Sequence, residues 1–233
     1  MTLKVLYKNA RFAAVELEDG GIYDMEKTWK IFVNDDLYDE TNHVIYMIYG
    51  LKPETEYEIR AEHGDERASV AFQTDYEYVT MNIRDFGAKG DGVSDDTHFI
   101  QAAIMACPGD SRVLIPAGEY RISSIFLKDN LNLELEKGAV LKAFTEREKF
   151  PVFQGTIPGN RPKEEMLLGT WEGDSQAMFS GIICGVRVKN VTIYGEGIVD
   201  GSAGRENWWN NPKDIKIAAR PRMVFLNQCE HVV

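Results

Sequence analysis

From Arg112 onward the chain is a succession of apolar runs, each too short to form a sheet face alone. Residues 112–116, 120–127, the alternating Leu131, Leu133 and Leu135, Val140-Leu141, residues 181–188, 190–193, Ile198-Val199 and 223–226 follow one another with Gly, Asn and Asp between them. No helical period alternates with these runs, which argues against a βαβ sheet. Such short strands bury their apolar sides by stacking on earlier and later copies, as the coils of a solenoid do. Two fragments, 188–193 and 228–233, echo each other, each leaving one strand and turning into the next.

Upstream, the string DFGAKGDGVSDDT over residues 85–97 packs three glycines among four aspartates and runs directly into HFIQAAIMAC. Phe99, Ala103, Ile104 and Cys107 fall near one face of a short helix, with Asp95 or Asp96 placed to cap its N-terminus. The first third has a different texture. Runs at 12–18, 28–33 and 43–48 have strand composition and are separated by Asp/Gly and Asn/Asp clusters. Pro53 sets a turn, after which Tyr57 and Ile59 alternate with charged residues, and a final strand is expected at 69–74. The change of texture at 75–81 predicts two domains, 1–78 and 79–233, both mainly β.

Net charge limits the partners. With 26 basic against 37 acidic side chains the formal charge is −11, which opposes a general nucleic-acid or anionic-membrane binder. It leaves room for an anionic ligand at a local cation cluster, because screening confines each charge to about 8 Å. Cys107, Cys184 and Cys229 lie far apart, with no CxxC or Cys/His spacing, so neither a disulfide framework nor a zinc site is expected. The three thiols read as small apolar packing residues. The N-terminal MTLKVLYKNARF lacks an apolar signal core, and no run approaches the ~18 apolar residues of a membrane span. The expected location is therefore cytoplasmic, or periplasmic or secreted if an export signal has been removed.

The residues also carry resemblances. GLKPETEYEIRAEHG with SVAFQT, residues 50–64 and 69–74, resembles the last strands of a fibronectin type III sandwich, with Trp29 as a core candidate in an earlier strand. DFGAKGDGVSDDTHFIQAAI followed by VLIPAGEY is similar to the opening of a right-handed parallel β-helix of the pectin-lyase type. The stretch NVTIYGEGIVDG (190–201), with Trp208-Trp209 and Arg220-Pro221-Arg222 after it, resembles glycoside hydrolase family 28, the polygalacturonases. A fibronectin-like module ahead of the β-helix is similar to that family's exo-acting bacterial members. The resemblance implies inverting, metal-independent and cofactor-free hydrolysis of α-1,4-galacturonosidic bonds in galacturonan or its oligomers. The family's Asn-Thr-Asp, Asp-Asp, Gly-His-Gly and Arg-Ile-Lys motifs do not occur in these 233 residues. The resemblance thus implies an N-terminal portion with no catalytic residue of its own, the working aspartates being expected downstream of Val233. The alternatives are a non-catalytic carbohydrate-binding or adhesion protein and a pectate-lyase-like protein.

Substrate contacts are expected in the segment 205–222, RENWWNNPKDIKIAARPR, whose five cations and two acids give it a local charge of +3. Arg220 and Arg222 come first, as planar forks for a uronate carboxylate, with Lys216 behind them. Trp208 and Trp209 are candidate platforms for a sugar face, although tryptophan packs more often than it binds. Glu172 and Asp174 mark a polar, Gly-punctuated loop read as solvated, and Asn190 reads as a corner residue bonding to nearby backbone. Asp95-Asp96 and His63 imitate catalytic motifs but fit a helix start and an exposed turn. A solenoid open at one end is also expected to be prone to association.

Overall fold

The computed structural model describes residues 2–18, 20–159 and 163–233. The chain divides into two compact units, residues 1–78 and 79–233. The first unit contains seven strands: β1 (Thr2–Lys8), β2 (Ala13–Glu18), β3 (Asp24–Val33), β4 (Asp36–His43), β5 (Ile45–Ile48), β6 (Glu56–His63) and β7 (Glu66–Gln73). They form two antiparallel sheets, ordered β1-β2-β5 and β4-β3-β6-β7. Period-2 alternation turns Val15, Leu17, Trp29, Ile31, Ile48, Ile59 and Ala61 into one core between them. Trp29, only 1% exposed, takes the central place expected of it. The Tyr57 hydroxyl accepts the Lys52 N–H at 2.9 Å, tying the turn around Pro53 to the strand that follows. The sequence left two strands unread, β1 and β4. In β4 the run DLYDETNH has turn-like composition, but it is an exposed edge strand whose form is dictated by pairing with β3.

The second unit winds in rungs. β8 (Thr80–Asn82), a 3-10 turn (Ile83–Phe86) and β9 (Asp91–Asp95) open it, and α1 (Thr97–Ala106) follows. The next rung is β10 (Arg112–Ile115), β11 (Gly118–Ile122) and β12 (Ile125–Phe126). The third begins with β13 (Leu131–Leu135) and β14 (Ala139–Ala143) and then makes an excursion. Among the described residues that excursion holds six short strands: β15 (Val152–Phe153), β16 (Thr156–Pro158), β17 (Glu165–Leu167), β18 (Thr170–Trp171), β19 (Asp174–Ser175) and β20 (Met178–Phe179). β21 (Ile183–Val186) completes the rung. The fourth is β22 (Lys189–Gly195), β23 (Ile198–Asp200) and β24 (Val224–Asn227), and β25 (Glu230–Val232) starts a fifth.

Equivalent strands pair in parallel, giving three sheets: β25-β22-β13-β10-β8, β23-β14-β11-β9 and β12-β21-β24. The fold is mainly β, a right-handed parallel β-helix. Because pairing is in register, like side chains stack into columns: Met81–Val113–Leu133–Ile193 and Leu131–Val191–Val232 in the first sheet, Tyr120–Leu141–Val199 in the second. These columns form a single apolar core. On the outer face of the first sheet, Arg112 pairs with Glu134 and donates to Thr80 Oγ1 at 3.0 Å, while the Tyr194 hydroxyl donates to Glu134 at 2.9 Å.

The corners explain the echo between fragments. Asn130, Asn190 and His231 each adopt a left-handed backbone (φ 56°, 55° and 53°) just before an inward residue, a conformation asparagine tolerates well. Asn190 Nδ2 donates to Asn130 Oδ1 at 3.0 Å, so its side chain bridges rungs and does not serve only its own turn. Val191 lies opposite Val232, one residue out of step from a position-by-position reading of the two fragments. The predicted run at 120–127 is broken at Ser123-Ser124, where the chain turns from the second sheet to the third.

Ile100, Ala103 and Ile104 of α1 pack into the core, with Phe99 half-buried beside them and Cys107 at the C-cap. Asp96 sits at the N-cap position but makes no side-chain capping bond. It is fully buried and accepts the Lys89 and Gly90 N–H groups at 2.7 and 3.0 Å, pinning the glycine-rich loop. Asp95 accepts the Thr97 N–H and hydroxyl and pairs with Lys149. Burial alone would raise the Asp95 carboxyl, but those bonds hold it below its ordinary value. Asp91 is lowered to about 2 by the N–H groups of Ser94 and Val93 and by the Ser94 hydroxyl.

Truncating the centre of a column, Leu133→Ala, is expected to cost about 2–5 kcal/mol in denaturant titration, whereas Leu37→Ala on the exposed edge strand should change stability by less than about 0.5 kcal/mol. Asp91 binds its proton less readily folded than unfolded. Its stabilising contribution is therefore complete above pH 4 and lost as pH falls from there toward about 2. Asp91→Asn should flatten that part of the stability–pH curve, as followed by circular dichroism.

Candidate functional site

Two loops leave the β-helix at the same corner, between the second and third sheets, from successive rungs. They are the excursion over residues 144–182 and the loop over 201–223. Rung stacking therefore lays one on the other. Ala219 N donates to Ala177 O at 3.0 Å and Phe179 N to Ala219 O at 2.9 Å, continuing parallel pairing into the loops. The excursion also buries Met166, Leu168 and Met178 against Cys184 and Phe225 on the outer side of the third sheet.

Between the loops lies a cleft of about 610 Å³. Five cations line it, Arg147, Lys213, Lys216, Arg220 and Arg222, against one acid, Asp214. Among the described residues none of these five cations has an ion-pair partner. The Arg220 guanidinium lies 4.4 Å from the Trp209 ring centroid, and its Nη1 donates to Pro212 O at 3.1 Å, which fixes the fork in place. Lys216 precedes Ile217, a β-branched residue held at φ 69° by the Ala218 N–H to Lys216 O bond of 2.8 Å. Such strain persists only where the surroundings enforce it.

All five expected contact residues, Arg220, Arg222, Lys216, Trp208 and Trp209, line this one cleft, but the two tryptophans differ. Trp208 is 3% exposed, with Phe150 and Phe179 edge-on at 5.5 and 5.7 Å and the Arg147 guanidinium 4.6 Å from its centroid. Its ring is a packing residue that joins the two loops. Trp209 is 51% exposed. Glu172 and Asp174 lie at the tip of the β18–β19 hairpin, outside the cleft lining.

Sequence reasoning missed Arg147 and Trp171, both of which line the cleft. Arg147 lies in the charge run TEREKF, which reads as a solvated face. Trp171 opens the turn Trp-Glu-Gly-Asp, where Glu172 and Gly173 both have positive φ, a hairpin signature overlooked within a polar loop. Among the described residues no group of three His, Cys, Asp or Glu side chains is placed to hold a metal ion, and no helix is long and apolar enough to cross a membrane. Burial pushes the Cys184 thiol up to about 12, its S–H donating to Gly181 O, so this group is not a nucleophile near neutral pH.

A parallel β-helix with a cationic, tryptophan-bearing cleft built from stacked corner loops has the architecture of the pectin-lyase class. The chain belongs to the rhamnogalacturonase A/epimerase, pectate lyase-like family, whose model matches residues 80–219. It is 31% identical over 175 residues to an exo-poly-alpha-D-galacturonosidase of Dickeya chrysanthemi, covering 72% of this chain and 27% of that protein. It is 64% identical over 47 residues to mannuronan C5-epimerase AlgE5 of Azotobacter vinelandii, covering 19% of this chain and 5% of the epimerase. The structure of the Yersinia enterocolitica family 28 exopolygalacturonase superimposes with a TM-score of 0.64 at 19% identity, covering 99% of this chain and 53% of that one. The chain thus spans about a quarter of the first relative and about half of the exopolygalacturonase.

Replacing the buried ring, Trp208→Ala, is expected to cost about 3–5 kcal/mol in denaturant unfolding, whereas Trp209→Ala should cost less than about 1 kcal/mol.

Proposed function

We propose that this chain forms the substrate-binding N-terminal part of a galacturonan hydrolase of the exo-polygalacturonase type. The observation that carries this reading is the unpaired cation cluster of Arg147, Lys213, Lys216, Arg220 and Arg222 in an otherwise acidic protein. Five positive charges around one cleft with a single carboxylate, Asp214, leave a net positive potential there, and a polyanion neutralises it. A uronate polymer supplies a carboxylate on every sugar for the arginine forks and a pyranose face for Trp209. The similarity to the Dickeya exo-poly-alpha-D-galacturonosidase favours galacturonate over other uronates.

Inverting hydrolysis needs one carboxyl to protonate the leaving oxygen and a second, about 6.5–9.5 Å away, to activate water. Among the described residues the cleft lining contains one carboxylate, Asp214. This chain's share of the reaction is therefore to bind and orient, with the acid and base supplied from further residues of a longer enzyme. The first unit reads as a fibronectin type III-like module, supported by its three-plus-four strand sandwich and by the Tyr57–Lys52 bond, which has the form of a tyrosine corner.

The 233-residue protein should bind oligogalacturonides with an affinity that falls as salt rises, bind methyl-esterified oligomers more weakly, and release no galacturonate. Isothermal titration with reducing-sugar assays checks this. Salt-independent binding would remove the cation-cluster basis, and turnover would overturn the division of labour.

A further inference from the structure

Trp171 is a 56% exposed indole outside the buried core clusters. It sits on the β18–β19 hairpin, opposite Asp174, and lines the same cleft as Trp209 and Arg220, which belong to the other loop. The hairpin carrying it is closely seated. Thr156 Oγ1 and Ser175 Oγ lie 2.6 Å apart, and a Cβ on Gly155 would meet Ser175 Oγ and come within 2.6 Å of Gln176 N. Glycine at 155 thus lets the hairpin backbone approach, and Trp171 is presented from a fixed base. Leaving so large an apolar surface in water forgoes burial energy that a core position would have gained. The cleft it lines also carries five cations, so an apolar peptide would have to desolvate them. An acidic saccharide satisfies both sides, with a C–H face for the indole and carboxylates for the guanidinium groups.

Building on the reading of the cleft as a uronate site, we infer that Trp171 is a substrate-contacting residue. One sugar ring of an acidic oligosaccharide stacks on its indole while a carboxylate of the same oligosaccharide is held by Arg220 beside Trp209. The two contacts come from loops of different rungs, so the cleft grips its ligand from two walls. An apolar stack and an ion pair respond differently to salt, and this separates Trp171 from Arg220.

The experiment measures binding of tetragalacturonate to the 233-residue protein by isothermal titration at about 20 and about 300 mM salt. The proteins compared are wild type, Trp171→Ala, Trp171→Phe, Gly155→Ala and Arg220→Ala. Trp171→Ala should weaken binding about tenfold at both salt concentrations, and Trp171→Phe by less, because phenylalanine keeps an aromatic face. Gly155→Ala, a position outside the cleft lining whose added Cβ would displace the hairpin through Ser175 and Gln176, should reproduce part of the Trp171→Ala loss. Arg220→Ala should weaken binding most at low salt. Thermal melting of each variant confirms that the fold is kept, as the exposure of Trp171 leads one to expect. If Arg220→Ala weakens binding and Trp171→Ala does not, this inference fails and the uronate reading of the cleft stands. If the wild type does not bind tetragalacturonate, or binds it equally well without Arg220, that reading fails and the inference falls with it.

Discussion

The constraint on which the second unit rests is in-register parallel pairing between successive rungs. A parallel ladder fixes each residue over its equivalent one turn earlier, at the spacing of about 4.8 Å common to all sheets. Leu133 must lie between Val113 and Ile193, and Leu141 between Tyr120 and Val199. Each strand is too short to persist alone, so stability comes from columns that cross the sequence. The left-handed corners at Asn130, Asn190 and His231 belong to the same requirement. They repeat because the chain must turn at the same height in every rung to keep its apolar residues stacked.

Register also decides where a site can be built. A rung can lengthen only at a corner, and a corner loop is carried by the same ladder as the strands beside it. The excursion over 144–182 and the loop over 201–223 leave from equivalent corners and are joined by the Ala219–Ala177 and Phe179–Ala219 bonds. The excursion seats part of its apolar surface on the third sheet, and the two loops share a further cluster. Together they bury Trp208 among Phe150, Phe179 and Arg147, and the cleft between them is lined by five cations.

The same physics marks what can be read from the amino-acid order. Short apolar runs with asparagine and glycine between them lead to stacked coils, because stacking buries strands of two to seven residues that could not form a sheet face alone. The helix at Thr97–Ala106 follows from apolar spacing. The residues doing the capping do not, since choosing between Asp95 and Asp96 depends on where the glycine-rich loop folds back to offer the Lys89 and Gly90 N–H groups. The strands of the excursion were illegible because pairs such as Thr170-Trp171 and Asp174-Ser175 are held by pairing with each other and by glycine-permitted contact, with no local periodicity. Part of the cleft was legible as a basic, tryptophan-bearing segment. Arg147 and Trp171 were not, because they join that segment only through coil stacking from some 40 to 60 residues earlier.

Trp208 and Trp209 show why composition cannot assign roles within such a segment. They are adjacent and identical in chemistry, and successive residues of an irregular loop face different ways. One ring points into the joint between loops and gains burial against Phe150 and Phe179. The other is left 51% exposed beneath the Arg220 guanidinium. The buried ring is what makes the exposed one useful. Without a rigid joint, Trp209 and Arg220 would lose their fixed orientation, and on the uronate reading proposed above binding would have to supply the entropy of ordering them. The shape of the cleft therefore depends on a residue buried behind it, and the geometry of the exposed pair is set by the packing of its neighbour.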